Sequence, residues 1–196
     1  VLNTRLDDSP LYYNIQTALD NAEDGDTIHA WNGIYYENIE ISDEITLKGN
    51  GTSTIINGTS GTAIEISDND IQIEDLWIIS SEKGVFLNAA NDISISTIRF
   101  TDNEYAIYAE DSQSALIDNN EFDLEDYGIY FTGSSSSATV FCLSLFERFN
   151  LCAPPSLSFQ ALQSQCLTLS PQALQTLCPP SFSPQALQSL SSPPSP

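Results

Sequence analysis

Methionine is absent from the 196 residues, histidine occurs once and Lys plus Arg occur five times. Against those five stand 27 Asp and Glu, a net charge of −22. Nucleic acid and anionic membrane surfaces would be repelled by such a chain, so neither is expected as a partner. An extracellular, cation-rich or saline milieu suits it. No apolar run approaches the roughly 20 residues a membrane helix needs, so no span is expected within this segment. Cysteine is missing before Cys142, and the acidic part therefore gives no reading of redox compartment. Cys142, Cys152, Cys166 and Cys178 have spacings unlike any zinc motif. The lone His29 has no second histidine or nearby cysteine with which to share a metal. Charge itself is missing from the last 48 residues, after Arg148. The chain opens at Val1 and reads as a fragment whose own N-terminus lies elsewhere.

What is present is a repeat, the signature of a solenoid when its period falls between about 20 and 50 residues. Ala63, Gly84, Ala106 and Gly128 are spaced by 21, 22 and 22 residues, and each precedes an apolar residue: Ile64, Val85, Ile107 and Ile129. Ile71, Ile93 and Ala115 keep a step of 22, as do Ile73, Ile95 and Ile117, and Ile78, Phe100 and Phe122. The single missing residue is absorbed at a turn around Asn88 to Ala90. Within each copy, short alternating segments are separated by Asp, Asn, Ser and Gly, which predicts three strands per coil. One coil buries almost nothing. Coils stacked roughly 4.8 Å apart bury their columns and satisfy their backbones in parallel ladders. The expected fold class is all-β, a right-handed parallel β-helix with rungs of about 22 residues, over residues 1–137. An antiparallel sandwich of short strands is the competing arrangement, but it predicts no fixed register of columns.

Upstream, Ile15, Ala18, Leu19 and Ala22 share one helical stripe, with Asn14 as N-cap and Gly25 beyond the end. This predicts a short helix over about residues 12–23, laid over the open first rung as a cap. The runs Ile15-Gln16-Thr17-Ala18-Leu19 through Gly25-Asp26-Thr27-Ile28, then Gly33-Ile34-Tyr35, Ile45-Thr46-Leu47-Lys48-Gly49 and Ile55-Ile56-Asn57-Gly58, resemble the opening of pectin-lyase-like β-helix proteins. Ile117-Asp118-Asn119-Asn120-Glu121-Phe122, followed by Tyr127-Gly128-Ile129-Tyr130, is similar to their β-helix repeat. The resemblance implies the fold. Its members include polysaccharide lyases and hydrolases, surface proteins of archaea and bacteria, and accessory proteins resembling the copper-linked NosD group, among which fold alone does not choose. With no methionine and one histidine, a copper role has no visible ligands here.

Three columns carry candidate chemistry. Glu82, Glu104 and Asp126 lie 22 apart, each two residues before the small residue opening a strand. Calcium, which takes several oxygen ligands, is the metal such a column would hold; a solvated row of turn residues is the alternative, with Lys83 beside it. Asn69, Asn91 and Gln113 sit at another turn, where stacked amides bond along the axis as a structural ladder. Asn120 is read as an inward position beside Ile98 and Leu76. Tyr108 and Tyr130, with Phe86 before them in the same column, should project outward, either as a row of rings for carbohydrate or as cross-rung packing. No residue is assigned a catalytic role. An elimination like that of pectate lyases, which the resemblance implies, needs calcium-binding aspartates and a basic residue, usually arginine; Arg99, the one arginine within the clear rungs, falls on an outward position where ion pairing is the simpler role. Asn50-Gly51-Thr52 and Asn57-Gly58-Thr59 are glycosylation sequons in expected turns.

From about residue 138 the composition shifts to Ser, Pro, Gln, Leu and Cys. Gln160-Ala161-Leu162-Gln163 recurs from Gln172 and from Gln185, punctuated by prolines that stop helices and strands alike. Residues 138–196 are expected to form a disordered tail, or to derive from a shifted reading frame. The functional expectation is a non-catalytic β-helix segment of an acidic extracellular or cell-surface protein, serving adhesion or carbohydrate binding, with a polysaccharide or cell-surface glycan as partner. The alternative is a fragment of a polysaccharide lyase or glycoside hydrolase.

Overall fold

The structure is a computed structural model that describes residues 1–3, 11–59, 61–123, 125–135, 138–141, 144–145 and 151–152. An opening strand, β1 (Leu2–Asn3), and a helix, α1 (Ile15–Leu19), precede repeated coils of three strands each. The first coil is β2 (Thr27–His29), β3 (Gly33–Tyr35) and β4 (Ile39–Ile41); the second is β5 (Thr46–Lys48), β6 (Thr54–Asn57) and β7 (Thr62–Ile66). Next come β8 (Gln72–Glu74), β9 (Trp77–Ile79) and β10 (Lys83–Asn88), then β11 (Ser94–Ser96), β12 (Arg99–Thr101) and β13 (Tyr105–Glu110). Then follow β14 (Leu116–Asp118), β15 (Glu121–Asp123) and β16 (Tyr127–Thr132), and last β17 (Thr139–Phe141), β18 (Ser144–Leu145) and β19 (Leu151–Cys152). Every third strand pairs in parallel with its predecessor, giving three sheets wrapped around one core, a right-handed parallel β-helix.

The register reproduces the columns of the repeat. Val85 pairs with Ile64 and Ile107, Ile95 with Ile73 and Ile117, and Phe100 with Ile78 and Phe122. These side chains are buried, and the Phe100 and Phe122 rings stack with centroids 5.2 Å apart. Burying each large aliphatic side chain contributes about 1.5–3 kcal/mol, so the stack of columns is the principal source of stability. At Gly84, the second residue of β10, there is no room for a side chain: a Cβ there would lie 2.6 Å from the Ala106 carbonyl oxygen.

Each sharp corner uses a left-handed residue. Asp70, Asp92 and Ser114 form one such column, and Asp75, Thr97 and Asn119 another, all with φ between 53° and 58°. Ala89 (φ 55°), Asp111 (φ 52°) and Gly133 (φ 64°) form a further column. Asp and Asn tolerate this region because their short polar side chains bond locally, which explains the Asp, Asn and Ser richness of the turns.

The cap is shorter than the sequence stripe predicts: α1 spans five residues, Asp20 is its C-cap, and Ala22 lies beyond it. Asn14 is the N-cap, its side chain accepting from Thr17 N at 2.9 Å. Glu37 anchors the same end, accepting from Ile15 N and Gln16 N. Ile15, Ala18 and Leu19 are buried against the first coil, where α1 meets β2 and β4. Strand β1 adds antiparallel to β2 and covers that sheet's edge. At the other end, pairing continues past residue 137, because β17, β18 and β19 add to β14, β15 and β16. The expectations for the tail after residue 152 lie outside the described residues.

Candidate functional site

The outward positions of the sheet containing β7, β10, β13 and β16 carry an aromatic array. Alternation sends Tyr108 outward between inward Ile107 and Ala109, two successive buried residues, Ala106 and Ile107, leave Tyr105 on the outer face as well, and a parallel ladder places outward residues of successive rungs one above another. Register therefore puts Phe86, Tyr108 and Tyr130 in one column and Lys83, Tyr105 and Tyr127 in the neighbouring one. Tyr108 and Tyr130 stack with centroids 5.1 Å apart, and Tyr105 and Tyr127 at 4.8 Å. Between columns the rings meet edge to face, Tyr105 against Tyr108 at 5.3 Å and Tyr127 against Tyr130 at 5.9 Å. Phe86 closes the array edge-on to Tyr108 at 5.5 Å. All five rings are half-buried.

Because stacked rings turn their faces to each other, the surface they present is made of ring edges and phenol groups. Burial, with Glu104 beside Tyr105 and Glu110 beside Tyr108, pushes both phenols above their ordinary pKa, so they remain hydrogen-bond donors. Lys83 does not lie over the carboxylate column beside which its sequence position puts it. Its ammonium sits 4.4 Å from the Phe86 ring centre and 4.7 Å from that of Tyr108, held by attraction to the ring faces. The sequence pointed to Phe86, Tyr108 and Tyr130; it also contained the signal for Tyr105 and Tyr127, which lie 22 apart and three residues before Tyr108 and Tyr130.

The other columns are placed as follows. Glu82, Glu104 and Asp126 are exposed on successive rungs, and Glu82 and Glu104 border an open hollow with Ser80, Ser81 and Asp102. Among the described residues, no three His, Cys, Asp or Glu side chains are grouped to hold a metal ion. At the amide turn, Asn69 Oδ1 accepts from Asn91 N at 2.8 Å and from Asn91 Nδ2 at 2.9 Å, and Asn91 Oδ1 accepts from Gln113 N at 3.0 Å. Arg99 lies over the Trp77 ring at 5.1 Å and pairs with Glu121 at 3.5 Å and Asp123 at 3.3 Å.

Two polar features of the interior govern the corners. Asn120, buried in the turn between β14 and β15 rather than in a strand, accepts from Ile98 N and donates to the Ile95 carbonyl, each at 2.9 Å. A column not singled out in the sequence, Ser81, Asn103 and Glu125, lies one residue before the exposed carboxylates and is buried. Asn103 Oδ1 accepts from Ser81 N at 3.1 Å, while Glu125 accepts from Asn103 N at 2.8 Å and from Asn103 Nδ2 at 3.1 Å. Burial pushes the Glu125 carboxyl up to about 8 against the pull of those two bonds, helped by Asp102 and Asp123 nearby. Its signal was the same 22-residue spacing, hidden because serine, asparagine and glutamate share no residue type.

Residues 7–142 match the family described as periplasmic copper-binding protein (NosD). A cell surface glycoprotein of Methanothermus fervidus is 37% identical over 86 residues, covering 42% of this chain and 14% of that protein. The chain thus spans about one seventh of that relative's length. Among solved structures, an alginate lyase from Paenibacillus sp. strain FPU-7 superposes with a TM-score of 0.51 at 17% identity, over 69% of this chain and 63% of the lyase. A pectin methylesterase in complex with a hexasaccharide gives a TM-score of 0.57 at 14% identity, over 75% of this chain and 53% of the esterase. At such identities the likeness is one of fold, the pectin-lyase-like β-helix. Both the family and the glycoprotein are proteins found outside the cytoplasm, and the chain is accordingly extracellular or at the cell surface. Among the described residues, no helix is long and apolar enough to cross a membrane.

The described residues do not fit copper. That ion takes imidazole, thiolate or thioether ligands, whereas His29 is the only histidine and no methionine is present. The side chains of all four cysteines lie outside the described residues. By its match over 136 of 196 residues, and by the β-helix built from them, the chain belongs to the NosD family.

Proposed function

We propose that the chain is a non-catalytic β-helix segment of an acidic extracellular or cell-surface protein, and that its tyrosine-lined sheet binds carbohydrate. The observation carrying this reading is the array of Tyr105, Tyr108, Tyr127 and Tyr130 with Phe86 and Lys83, concentrated on one outer face. Ring edges supply apolar contact for sugar C–H groups, and protonated phenols supply donors for sugar hydroxyls. Lys83 adds a cation at one end of the array on a chain that is otherwise strongly acidic.

The competing reading is a fragment of a polysaccharide-degrading enzyme. Sugar hydrolysis uses two carboxyls flanking the bond, one with a raised pKa in a groove. Glu125 is the carboxyl whose pKa is raised among the described residues, and it is 3% exposed with both oxygens bonded to Asn103. It serves the corner rather than a groove. The test is to apply the chain to arrays of acidic and neutral polysaccharides, with and without calcium, and to assay the same wells for new reducing ends and unsaturated uronates. Binding without products is the expected result; products would establish the enzyme reading instead.

A further inference from the structure

Three Asn-Gly pairs, Asn32-Gly33, Asn50-Gly51 and Asn57-Gly58, and one Asp-Gly pair, Asp24-Gly25, lie in the N-terminal part of the chain. In such pairs the glycine nitrogen can attack the carbonyl carbon of the preceding side chain and close a succinimide ring, since glycine has no Cβ to crowd the ring. The attack consumes the glycine N–H, so a hydrogen bond made by that group must open first. The fold engages three of the four groups. Gly25 N donates to the Glu44 carbonyl at 2.6 Å, Gly33 N to that of Ser53 at 2.9 Å and Gly58 N to that of Ile79 at 3.3 Å. Gly58 is also buried, and Asn57 before it is half-buried in β6, its Oδ1 accepting from Thr59 N at 3.0 Å.

Asn50-Gly51 is the exception. Among the described residues, the Gly51 N–H donates to no acceptor. Gly51 takes a left-handed φ of 59° in the turn between β5 and β6, and a Cβ on it would meet nothing within 4 Å. Asn50 is exposed, and its side chain makes one surface hydrogen bond, Nδ2 donating to Oδ1 of the likewise exposed Asn32 at 2.6 Å. The backbone anchor of the turn lies on the other side of Asn50, whose N–H donates to Thr54 Oγ1 at 2.9 Å; it leaves the Gly51 nitrogen free.

We infer that Asn50 is the site at which the folded chain spontaneously converts asparagine to aspartate and isoaspartate, while Asn32 and Asn57 are held back by the hydrogen bonds of Gly33 and Gly58. Gly51 N loses its proton to hydroxide and bonds to Asn50 Cγ; the Cγ–Nδ2 bond breaks, and Nδ2 takes a proton from water and leaves as ammonia. Water then opens the ring. Cleavage at Cγ gives aspartate, and cleavage at the main-chain carbonyl carbon gives isoaspartate, with the chain routed through Cβ and Cγ. Either product adds a negative charge beside Asn32 and removes the acceptor asparagine of the Asn50-Gly51-Thr52 sequon. Strands β5 and β6, which flank the turn, belong to the two sheets that do not carry the tyrosine array, so the change leaves that face in place.

The test incubates the full folded chain in mildly alkaline buffer for days and reads each asparagine by peptide mass spectrometry, with aspartate and isoaspartate told apart by fragmentation. The same chain unfolded in guanidinium chloride is treated in parallel. In the folded chain Asn50 is expected to convert faster than Asn32 and Asn57 by roughly tenfold or more, the effect of one hydrogen bond that must open. In denaturant the three rates should converge, because each asparagine then precedes an equally free glycine. Amide hydrogen exchange gives an independent reading: the Gly51 N–H should exchange faster than those of Gly33 and Gly58. Equal conversion of the three in the folded chain, a folded Asn50 that stays intact while its unfolded form converts, or a Gly51 amide as protected as that of Gly58 overturns the inference.

Discussion

Replacing Glu125 by glutamine should flatten the dependence of stability on pH. In the folded chain this carboxyl is pushed from the ordinary 4.5 up to about 8, first by burial and then by Asp102 and Asp123, so it folds as the neutral acid. Below pH 4.5 it is protonated in both folded and unfolded chains and its full contribution is present. Between 4.5 and about 8 the unfolded chain releases the proton while the folded chain keeps it, so stability falls as pH rises. Over that window the loss is about 1.4 kcal/mol per pH unit, at most about 5 kcal/mol in all. Above about 8 both states are ionised and the loss ends. Glutamine has no proton to lose, but its amide must oppose one of the two Asn103 donors, a cost that does not vary with pH. Urea midpoints of the native and Glu125→Gln chains, measured from pH 5 to 9 at fixed salt, isolate the effect, since general acidic repulsion is common to both. The native chain should be the more stable at pH 5 and lose its advantage by pH 9. Parallel curves across the range would refute the reasoning.

Other perturbations have distinct expected sizes. Asn120→Leu leaves the Ile98 N–H and Ile95 carbonyl buried without their partner and should cost roughly 3 kcal/mol, read by chemical denaturation. Phe100→Ala removes a fully buried ring stacked on Phe122 and should cost about 3–5 kcal/mol in the same assay. Ala89→Gly, at an exposed residue with φ 55°, should stabilise by about 1 kcal/mol, seen as a raised melting temperature; a lowered one would refute the assignment of strain to that corner.

The parts of this molecule visible in its sequence are those repeated by residue type. Ile73, Ile95 and Ile117 announce a column because burial at an inward position demands an aliphatic side chain each time, and the registered pairs follow. The one-residue offset falls between Leu87 and Ile93, where the left-handed Ala89 accommodates the longer turn. Less visible was anything fixed by geometry alone. Helix α1 stops at Leu19 although the apolar stripe runs on to Ala22, because the chain must turn into the first coil. The corner column Ser81, Asn103 and Glu125 is one structural role filled by three residue types, each presenting an oxygen to the neighbouring rung or spanning the same corner. Tyr105 and Tyr127 were legible by spacing, but their edge-to-face contact with Tyr108 and Tyr130 depends on how adjacent outward columns lean together.

The functional reading turns on whether the tyrosine face is the place where glycan binds. The direct measurement is the affinity of the native and Tyr108→Ser, Tyr130→Ser chains for the best polysaccharide from the arrays, by titration calorimetry, with the melting temperature of each chain recorded alongside. Losing two ring contacts worth about 1 kcal/mol each predicts binding weaker by roughly thirtyfold in a chain that still folds. Unchanged affinity in the folded double variant would contradict the account and move the binding surface elsewhere on the solenoid.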